Sequence, residues 1–394
     1  MTIARTARAV VSSCALCTAG LLALAPAAAP AGGGADPGPS HDTGSRARPA
    51  PASLLYRPGT HVRPRPGAPE VPDPSARAWL VADAGTGAVL AAHDAHRRLP
   101  PASTLKTLFA LTVLPVLPAG IRHRVREREL RGIGPGSSLV GVAEDRTYRV
   151  SDLWNGVFLS SGNDAVRVLA ALSGGWRETA ERMQAKARAL GARDTRVTSP
   201  DGYDAPGQVS SAFDLAVFGR AGLRQPEFAR YCARTEAWFP GRDGGRYGIR
   251  NTNRLLTGAD GVARYRGLIG VKNGYTGEAG HTLVAAARRN GRTLVVTVMN
   301  PRSGGGHAVY EEARALLDWG FAAAGRVDPV GSLDARRAGA MPGAPPEPAA
   351  GAAAARRHGP GRPVPWTVAA AALLGGAGVA LFLRLAWGPL PPPD

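Results

Sequence analysis

Strand-like segments lie near both ends of the central part of this chain, and helix-like segments lie between them. Each strand-like segment is a short apolar run bounded by turn residues: 78–82, 88–92, 268–272, 282–287 and 293–299. Asn290-Gly291 predicts a short turn between the last two. Since strands so far apart in sequence bury their apolar faces best in one sheet, we predict an α/β domain. Its antiparallel sheet is flanked by helices, and an all-helical lobe is inserted between its strands.

Apolar periodicity and capping residues predict where the helices lie. They are expected at 103–114, 151–159, 164–172, 176–190 and 309–322. Ser151 is the expected cap of the second helix, and Pro115 ends the first. Residues 118–225 are therefore expected to be mostly helical and to form the inserted lobe.

The N-terminal part of the chain predicts an export signal followed by a leader. Residues 1–31 begin with arginines, continue through an apolar run and reach small-residue sites typical of signal cleavage. Polar residues dilute the apolar run, which favours a cleaved signal over an N-terminal anchor. Residues 32–75 are rich in Pro, Gly, Ala and Arg and are expected to be a disordered leader. The ordered domain is therefore expected at 76–325.

Residues 364–387 predict a membrane anchor. The uncharged run that starts at Trp366 has 18 residues. As a helix it would rise about 27 Å, close to the thickness of a hydrocarbon core. Trp366 and Trp387 bracket it, as interfacial aromatic residues do. A buried core helix is the alternative, but it would need a further domain beyond the Pro/Gly/Ala-rich linker at 326–363. With a short tail at 388–394, this organisation predicts an exported protein on the extracellular face of the cell membrane, held by a single-pass C-terminal anchor.

The net charge of +18 comes almost entirely from arginines spread along the chain. No basic helix or aromatic-interleaved basic patch accompanies it, so the sequence does not favour a nucleic-acid partner. For an exported, tethered protein, diffuse positive charge fits weak attraction to anionic wall polymers and lipid headgroups.

Lysine is scarce, because the chain has only Lys106, Lys186 and Lys272. Ser103 and Lys106 are three residues apart, so on a helix the ammonium group can reach the hydroxyl. A serine hydroxyl is a poor nucleophile until a neighbouring base takes its proton, and a lysine with a lowered pKa can be that base. Taken alone, the pair also fits a helix cap beside a solvated lysine.

Two further segments carry residues suited to the same chemistry. Ser161 and Asn163 lie between two predicted helices, where a hydroxyl can relay a proton and an amide can hold a substrate carbonyl or the lysine. Lys272 and Gly274 lie at the end of a predicted strand. There the glycine lets a ligand backbone approach, and the lysine offers positive charge. Each segment alone also fits an ordinary turn.

The three segments together match a known signature. Ser-x-x-Lys, Ser-x-Asn and Lys-Thr-Gly occur in this order in penicillin-binding proteins and class A β-lactamases. Over about residues 77–325 the chain resembles the low-molecular-weight D-alanyl-D-alanine carboxypeptidases, and Ser161-Gly162-Asn163 is the peptidase form of the second motif. The family-like stretches are 99–106, 159–165, 199–204, 251–253 and 270–276.

The resemblance implies a β-lactamase/DD-peptidase-like fold and an acyl-enzyme mechanism without metal or cofactor. Ser103 would attack the amide between two D-alanines, Lys106 and Ser161 would manage its proton, and water would release the shortened stem peptide. The backbone N–H groups of Ser103 and Tyr275 would form the oxyanion hole. The implied substrate-binding residues are Asn163, Lys272, Asn273, Gly274, Tyr275 and Thr276. The implied partners are peptidoglycan stem peptides ending in D-Ala-D-Ala, with β-lactams as covalent inhibitors.

Asn273 departs from the family pattern, which has threonine in the third motif. Threonine offers a compact hydroxyl to the terminal carboxylate of the substrate, whereas an amide donates from further out. Thr276, Arg302 and His307 are candidates to share this role. We expect the departure to affect efficiency and substrate preference more than reaction class.

Two alternative functions stay open at this point. A serine β-lactamase is one, although no Glu-x-x-Leu-Asn segment occurs between Asn163 and Lys272. A non-catalytic peptidoglycan-binding module with the same fold is the other, with Asn273 as a sign of decayed chemistry. The position of the scarce Lys106 argues against decay.

Overall fold

The computed structural model describes residues 54–334, and strands from both ends of this range pair in one antiparallel sheet. The strands are β1 (Thr60–Pro64), β2 (Ala76–Asp83), β3 (Ala88–His93), β4 (Arg122–Arg124), β5 (Thr147–Arg149), β6 (Glu236–Pro240), β7 (Arg246–Arg250), β8 (Leu268–Thr276), β9 (Gly280–Arg289), β10 (Arg292–Pro301), β11 (Val327–Asp328) and β12 (Gly331–Ser332). The main sheet has the order β11-β1-β3-β2-β10-β9-β8, and β12 also pairs with β3. β8, which carries Lys272, is therefore an edge strand.

Helices cover the sheet and build the rest of the domain. They are α1 (Lys106–Val113), α2 (Glu127–Leu130), α3 (Val150–Leu159), α4 (Asn163–Leu172), α5 (Trp176–Ala189), α6 (Ala212–Leu223), α7 (Pro226–Cys232), α8 (Arg254–Thr257) and α9 (Ala308–Ala323). Short 3-10 helices lie at Leu54–Tyr56, Ala102–Leu105, Leu114–Val116 and Gly305–His307.

The two faces of the central strands pack against different helices. Successive side chains of a strand point to opposite faces. On β2, Leu80 accordingly belongs to the buried cluster that contains Phe109 of α1, whereas Val81 belongs to the cluster that contains Leu316 of α9. The prediction of an antiparallel sheet that takes strands from both ends of the domain and is flanked by helices is confirmed.

The predictions that residues 118–225 are mostly helical and that the inserted lobe is all-helical are wrong for residues 118–149 and for residues 190–211, which contain no helix. Residues 118–149 contain the β4–β5 hairpin and only the four-residue helix α2. The backbone N–H groups of Val140, Gly141 and Val142 donate to the Asp164 carboxylate, so this extended segment needs no helix to satisfy them. Ser151 is also not the cap of α3.

The sheet extends beyond the predicted limits of 76–325 at both ends. β1 lies inside the predicted leader and pairs with β3 and β11, while β11 and β12 lie inside the predicted linker. Composition missed these strands because they are short, and they are held by cross-strand contacts such as the Arg65–Asp328 ion pair. The predicted signal at 1–31, the anchor at 364–387 and the tail at 388–394 lie outside the described residues. Within 54–334, no helix is long and apolar enough to span a bilayer.

Candidate active site

A short 3-10 helix brings Ser103 and Lys106 together. Side chains three residues apart eclipse one another in this kind of helix. Lys106 Nζ donates to Ser103 Oγ at 2.8 Å and to the backbone oxygen of Asp201 at 2.7 Å. Ala102, directly before Ser103, has a φ of 49°, which is the left-handed region. The sequence prediction that this spacing places the two side chains in contact is confirmed by the geometry.

Lys106 is almost fully buried, with 1% of its surface exposed. Burial lowers the pKa of its ammonium group to about 8, and the negative charges of Asp201 and Asp164 only partly oppose this effect. A lysine with a pKa near 8 is partly neutral under physiological conditions. It can therefore accept a proton from a hydroxyl that it already contacts.

Lys272 is the second buried lysine of the site. Its Nζ donates to the backbone oxygen of Asn273 at 2.8 Å. Burial lowers the pKa of Lys272 well below that of an ordinary lysine, and the positive charge of Lys106 lowers it further. The pair therefore loses its first proton at a lower pH than two isolated lysines would.

Ser161 and Asn163 of the second motif each have a buried oxygen without a hydrogen-bond partner among the described residues, and Asn163 lines the same cavity as Ser103. Ser161 has a φ of 57°, and its Oγ is buried without a hydrogen-bond partner among the described residues. The Oδ1 atom of Asn163 is likewise buried without a hydrogen-bond partner among the described residues, while its Nδ2 donates to Ser137 Oγ at 3.1 Å. Buried polar atoms are rarely left unpaired, so these two oxygens suit contacts with a reacting group or a substrate.

Asp164 fixes the loop opposite Asn163, a role that the sequence did not predict. Its carboxylate accepts hydrogen bonds from the N–H groups of Val140, Gly141, Val142 and Ala165. A side chain on Gly162 would place its Cβ only 2.6 Å from Asp164 Oδ1. The glycine of the Ser-x-Asn motif is therefore required by this packing.

Gly274 allows the edge strand β8 to lie directly against the nucleophile. A Cβ at this position would lie 2.7 Å from the backbone nitrogen of Ser103 and 2.8 Å from Thr282 Oγ1. The sequence placed Lys272 at the end of a strand, but β8 continues through Thr276. The edge of β8 therefore offers backbone groups to a peptide that binds as an added strand.

Two cavities flank this point of contact. One, of about 250 Å³, contains Ser103 and Asn163 together with Tyr275 and Thr276. The other, of about 470 Å³, contains Asn273, Gly274 and again Tyr275, whose side chain is 63% exposed. The residues that line the first cavity and were missed from sequence are Pro135, Gly136, Ser137, Ser138, Tyr203, Asp204 and Gly277. The signal that could have found most of them is the Gly/Pro/Ser composition of 134–138, because such loops often carry function.

The comparisons with known proteins agree with this geometry. Residues 66–303 match the model of peptidase family S11, described as D-alanyl-D-alanine carboxypeptidase. The chain belongs to this family. As an S11 peptidase it is a serine-type hydrolase with the DD-peptidase fold. It is one of the penicillin-binding proteins, which act on the cell wall.

Individual relatives are also named D-alanyl-D-alanine carboxypeptidases. The chain is 40% identical over 259 residues to D-alanyl-D-alanine carboxypeptidase DacB2 of Mycobacterium tuberculosis, covering 65% of this chain and 86% of the relative. It is 35% identical over 269 residues to D-alanyl-D-alanine carboxypeptidase DacD of Escherichia coli, covering 65% of each protein. Among solved structures, the Streptomyces K15 DD-transpeptidase has a TM-score of 0.60 at 26% identity, covering 64% of this chain and all of that one.

Asn273 points away from the Ser103 cavity in this S11 peptidase. Its Oδ1 accepts a hydrogen bond from Thr252 Oγ1 at 3.0 Å, on the side of the larger cavity. Thr276 lines the Ser103 cavity, and its Oγ1 accepts from the N–H of Ala279 at 3.2 Å. Arg302 and His307 line neither of these two cavities. Of the three candidates to compensate for Asn273, the structure brings only Thr276 next to the nucleophile.

Proposed function

We propose that this S11 peptidase removes the terminal D-alanine from peptidoglycan stem peptides through an acyl-enzyme on Ser103. The contact of 2.8 Å between Lys106 Nζ and Ser103 Oγ carries the proposal, because it joins a hydroxyl to a buried lysine whose pKa is lowered to about 8. That pairing is what activation of a serine requires.

The reaction begins when neutral Lys106 takes the proton of Ser103. The Oγ atom attacks the carbonyl carbon of the penultimate D-alanine, and the N–H groups of Ser103 and Tyr275 stabilise the oxyanion. Ser161 relays a proton from Lys106 to the scissile nitrogen, the C–N bond breaks, and D-alanine leaves. Water then attacks the ester. Its OH group adds to the acyl carbon, its proton passes to Ser103 Oγ, and the shortened peptide leaves.

The remaining motif residues hold the substrate in this proposal. The peptide lies along the edge of β8 beside Gly274 and Thr276, and the Asn163 amide holds a backbone carbonyl. Lys272 offers a buried amine as a hydrogen-bond donor near Lys106. Asn273 contributes at the carboxylate end. A β-lactam presents a reactive amide and a carboxylate in a similar arrangement, so it would acylate Ser103 and block the enzyme.

The proposed location follows from residues outside the described range. A signal at 1–31 would export the chain, and the apolar run at 364–387 would anchor it to the membrane with the domain on the extracellular face. Tethering of this kind would keep the site next to newly made wall.

The test uses the full-length chain, since β1, β11 and β12 belong to the sheet but lie outside residues 76–325. Wild-type protein should be labelled covalently by fluorescent penicillin and should release D-alanine from a synthetic stem pentapeptide. Ser103→Ala should do neither, while the exposed Ser303→Ala should do both.

Three outcomes would reject the proposal. Labelling of Ser103→Ala would point to another nucleophile. Unlabelled wild type without D-alanine release would favour a non-catalytic wall-binding module. Rapid turnover of a chromogenic cephalosporin by the wild type, with little D-alanine release, would favour a β-lactamase.

A further inference from the structure

Three arginines share a cavity of about 460 Å³ that has no lining residue in common with the two cavities beside Ser103. They are Arg188 in the last turn of α5 and Arg193 and Arg196 in the segment that follows this helix. All three residues are exposed. Among residues 54–334, no acidic residue lines the cavity, and none of the three guanidinium groups has an ion-pair or hydrogen-bond partner. The cavity therefore holds positive charge that the domain itself does not neutralise.

The charge of this cavity differs from that of the larger cavity beside β8. There, Arg254 Nε lies 2.9 Å from Asp260 Oδ2, so a carboxylate lines the same wall as the arginine. In the arginine cavity, the nearest carboxylate in sequence is that of Asp194, and other groups occupy it. Asp194 Oδ2 accepts from Ser211 Oγ at 2.8 Å and lies 2.7 Å from His96 Nδ1. The three arginines are thus left to bind an anion from solution.

The backbone around the arginine cavity is fixed without help from the arginine side chains. The amide of Gln184 on α5 donates from Nε2 to the backbone oxygen of Thr195 at 2.9 Å, and its Oε1 accepts from the N–H of Val197 at 2.9 Å. Arg196 and Val209 exchange two backbone hydrogen bonds, of 2.9 and 3.2 Å. A ligand would therefore have to order only the guanidinium groups, which lowers the entropic cost of binding.

The chemistry of the cavity favours a chain with repeated phosphate groups. A guanidinium group presents a planar fork of N–H donors that matches the oxygens of a phosphate or a carboxylate. Three such groups in one recess suit a ligand with several negative charges, and cavities of about 300–1,000 Å³ hold molecules larger than a single ion. A phosphodiester carries its charge in the chain itself, whereas a polycarboxylate must also order its side chains.

The lining residues argue against two other anionic partners. No aromatic side chain among residues 54–334 lines the arginine cavity. Proteins that bind single-stranded nucleic acids stack the bases on aromatic side chains. Segments that lie on a bilayer insert large apolar or aromatic side chains between the lipids, and a bilayer surface does not enter a recess. A thin flexible chain fits these features better.

We propose that the cavity lined by Arg188, Arg193 and Arg196 binds the phosphodiester groups of a linear polyol-phosphate polymer of the cell wall. This S11 peptidase acts on the cell wall, so such a polymer and its substrate lie in the same compartment. Asp201, whose backbone oxygen accepts from Lys106 Nζ, is six positions after Thr195 of the cavity. Thr195 and Asp201 therefore lie at most about 22 Å apart. Polymer binding would hold the active site close to wall material and raise the local substrate concentration.

The experiment measures binding of a short, fluorescently labelled glycerol phosphate oligomer to the full-length chain by fluorescence anisotropy. The salt concentration is physiological, about 0.15 M, so that attraction by distant charges is screened. Three further probes are compared with the oligomer: an oligoglutamate of equal charge, phosphatidylglycerol vesicles and inorganic phosphate as a competitor. The wild type should bind the glycerol phosphate oligomer more tightly than the oligoglutamate or the vesicles. Inorganic phosphate should compete only at a far higher phosphate concentration.

The triple variant Arg188→Gln/Arg193→Gln/Arg196→Gln tests the site. Each exposed contact of an arginine with an anion contributes about two- to fivefold to affinity. The Kd for the oligomer should therefore rise about tenfold or more. The dependence of log Kd on log salt should also become shallower, because fewer phosphates are neutralised. Glutamine keeps the side chain long and polar, and the melting temperature shows whether the variant is still folded.

A matched control removes the same charge from scattered positions. It replaces three exposed arginines that have no ion-pair partner among the described residues and line none of the cavities described above: Arg128→Gln/Arg224→Gln/Arg266→Gln. The Kd of this control should change less than about threefold, because unpaired charges more than a Debye length from the ligand are screened. An equal loss of affinity in both triple variants would show that diffuse charge alone binds the polymer, and the inference would be wrong.

The remaining outcomes also decide the inference. Absence of oligomer binding by the wild type would overturn it, and equally tight binding of oligoglutamate would overturn the assignment to phosphodiesters. Tighter binding of the vesicles, lost in the site variant, would assign the cavity to lipid headgroups instead. Displacement of the oligomer by inorganic phosphate at an equal phosphate concentration would assign it to free phosphate. If one of these results occurs while the wild type is still labelled by penicillin, the carboxypeptidase proposal is unaffected.

Discussion

Two buried charged side chains near the nucleophile are held in opposite ways. Lys106 and Asp164 are 1% and 3% exposed, and the charge of Asp164 acts on Lys106. Among the described residues, Lys106 donates hydrogen bonds to Ser103 Oγ and to one backbone oxygen, and burial lowers its pKa to about 8. Asp164 accepts hydrogen bonds from four backbone N–H groups. Burial thus destabilises the charged form of the lysine, which suits a base, whereas the carboxylate is paired with backbone donors and holds structure.

The residues around Lys106 and around Asp164 show the same difference. Near the lysine, Ala102 has a positive φ value; Ser161 of the second motif also has one, and among the described residues its Oγ is buried without a partner. Such strained or unpaired groups persist only where the rest of the fold compensates. On the Asp164 side, the hydrogen bonds fix the segment around Val140 against α4. We therefore expect substitutions of Lys106 to change chemistry and substitutions of Asp164 to change stability.

Lys106→Met should show the largest effect. A thioether cannot accept the proton of Ser103, so the rate of acylation by fluorescent penicillin should fall by about 10³-fold or more. The melting temperature should stay the same or rise, because an apolar side chain avoids the cost of burying an ammonium group. An acylation rate within tenfold of the wild type would show that Lys106 is not the base.

Asp164→Ala should lower stability more than it changes the chemistry. Removing the carboxylate leaves several buried N–H groups unpaired, and the free energy of unfolding should fall by about 3 kcal/mol. Urea denaturation measures this loss, and Asp164→Asn should fall between Ala and wild type because it keeps one acceptor oxygen. A loss below about 1 kcal/mol would mean that the segment around Val140 is fixed by other contacts.

Gly274→Ala should lower both the acylation rate and the stability, each to a smaller extent than the two preceding substitutions. The added methyl group would lie 2.7 Å from the Ser103 nitrogen, so the nucleophile or β8 must shift. We expect acylation to fall by about 10²-fold from misplacement and stability to fall by about 1–3 kcal/mol from overpacking. Gly248→Ala is the matched control, because its Cβ would have no heavy atom within 4 Å. Wild-type acylation by Gly274→Ala would show that the close approach is not needed.

The sequence predicted those parts of the site that depend on side-chain chemistry. Ser103 and Lys106 could be predicted because activation of a serine demands these residue types one helical turn apart, and Lys272 because it stands in the third motif of the family signature. The backbone oxygen of Asp201 and the N–H groups around Val140 could not be, since any residue supplies such groups and only the fold brings them near. Apolar patterning predicted that one sheet takes strands from both ends of the domain, but it did not predict their order. The strands β1 and β11 could not be predicted, because they have only five and two residues and are too short to show an apolar alternation.

The pH dependence of acylation is the smallest effect and tests the lysine side of the comparison most directly. The pKa of Lys106 is lowered from its ordinary value to about 8, so the neutral fraction of this lysine grows as the pH rises towards 8. The acylation rate should therefore rise about tenfold per pH unit from pH 6 to somewhat below 8 and level off above it. Stopped-flow measurement with a fluorescent penicillin between pH 6 and 10 gives the profile. A rate that is flat below pH 8 would mean that Lys106 is already neutral there. A rate that keeps rising to pH 10 would mean that burial does not lower the pKa of Lys106. Lys106 and Asp164 would then differ only in where their side chains lie.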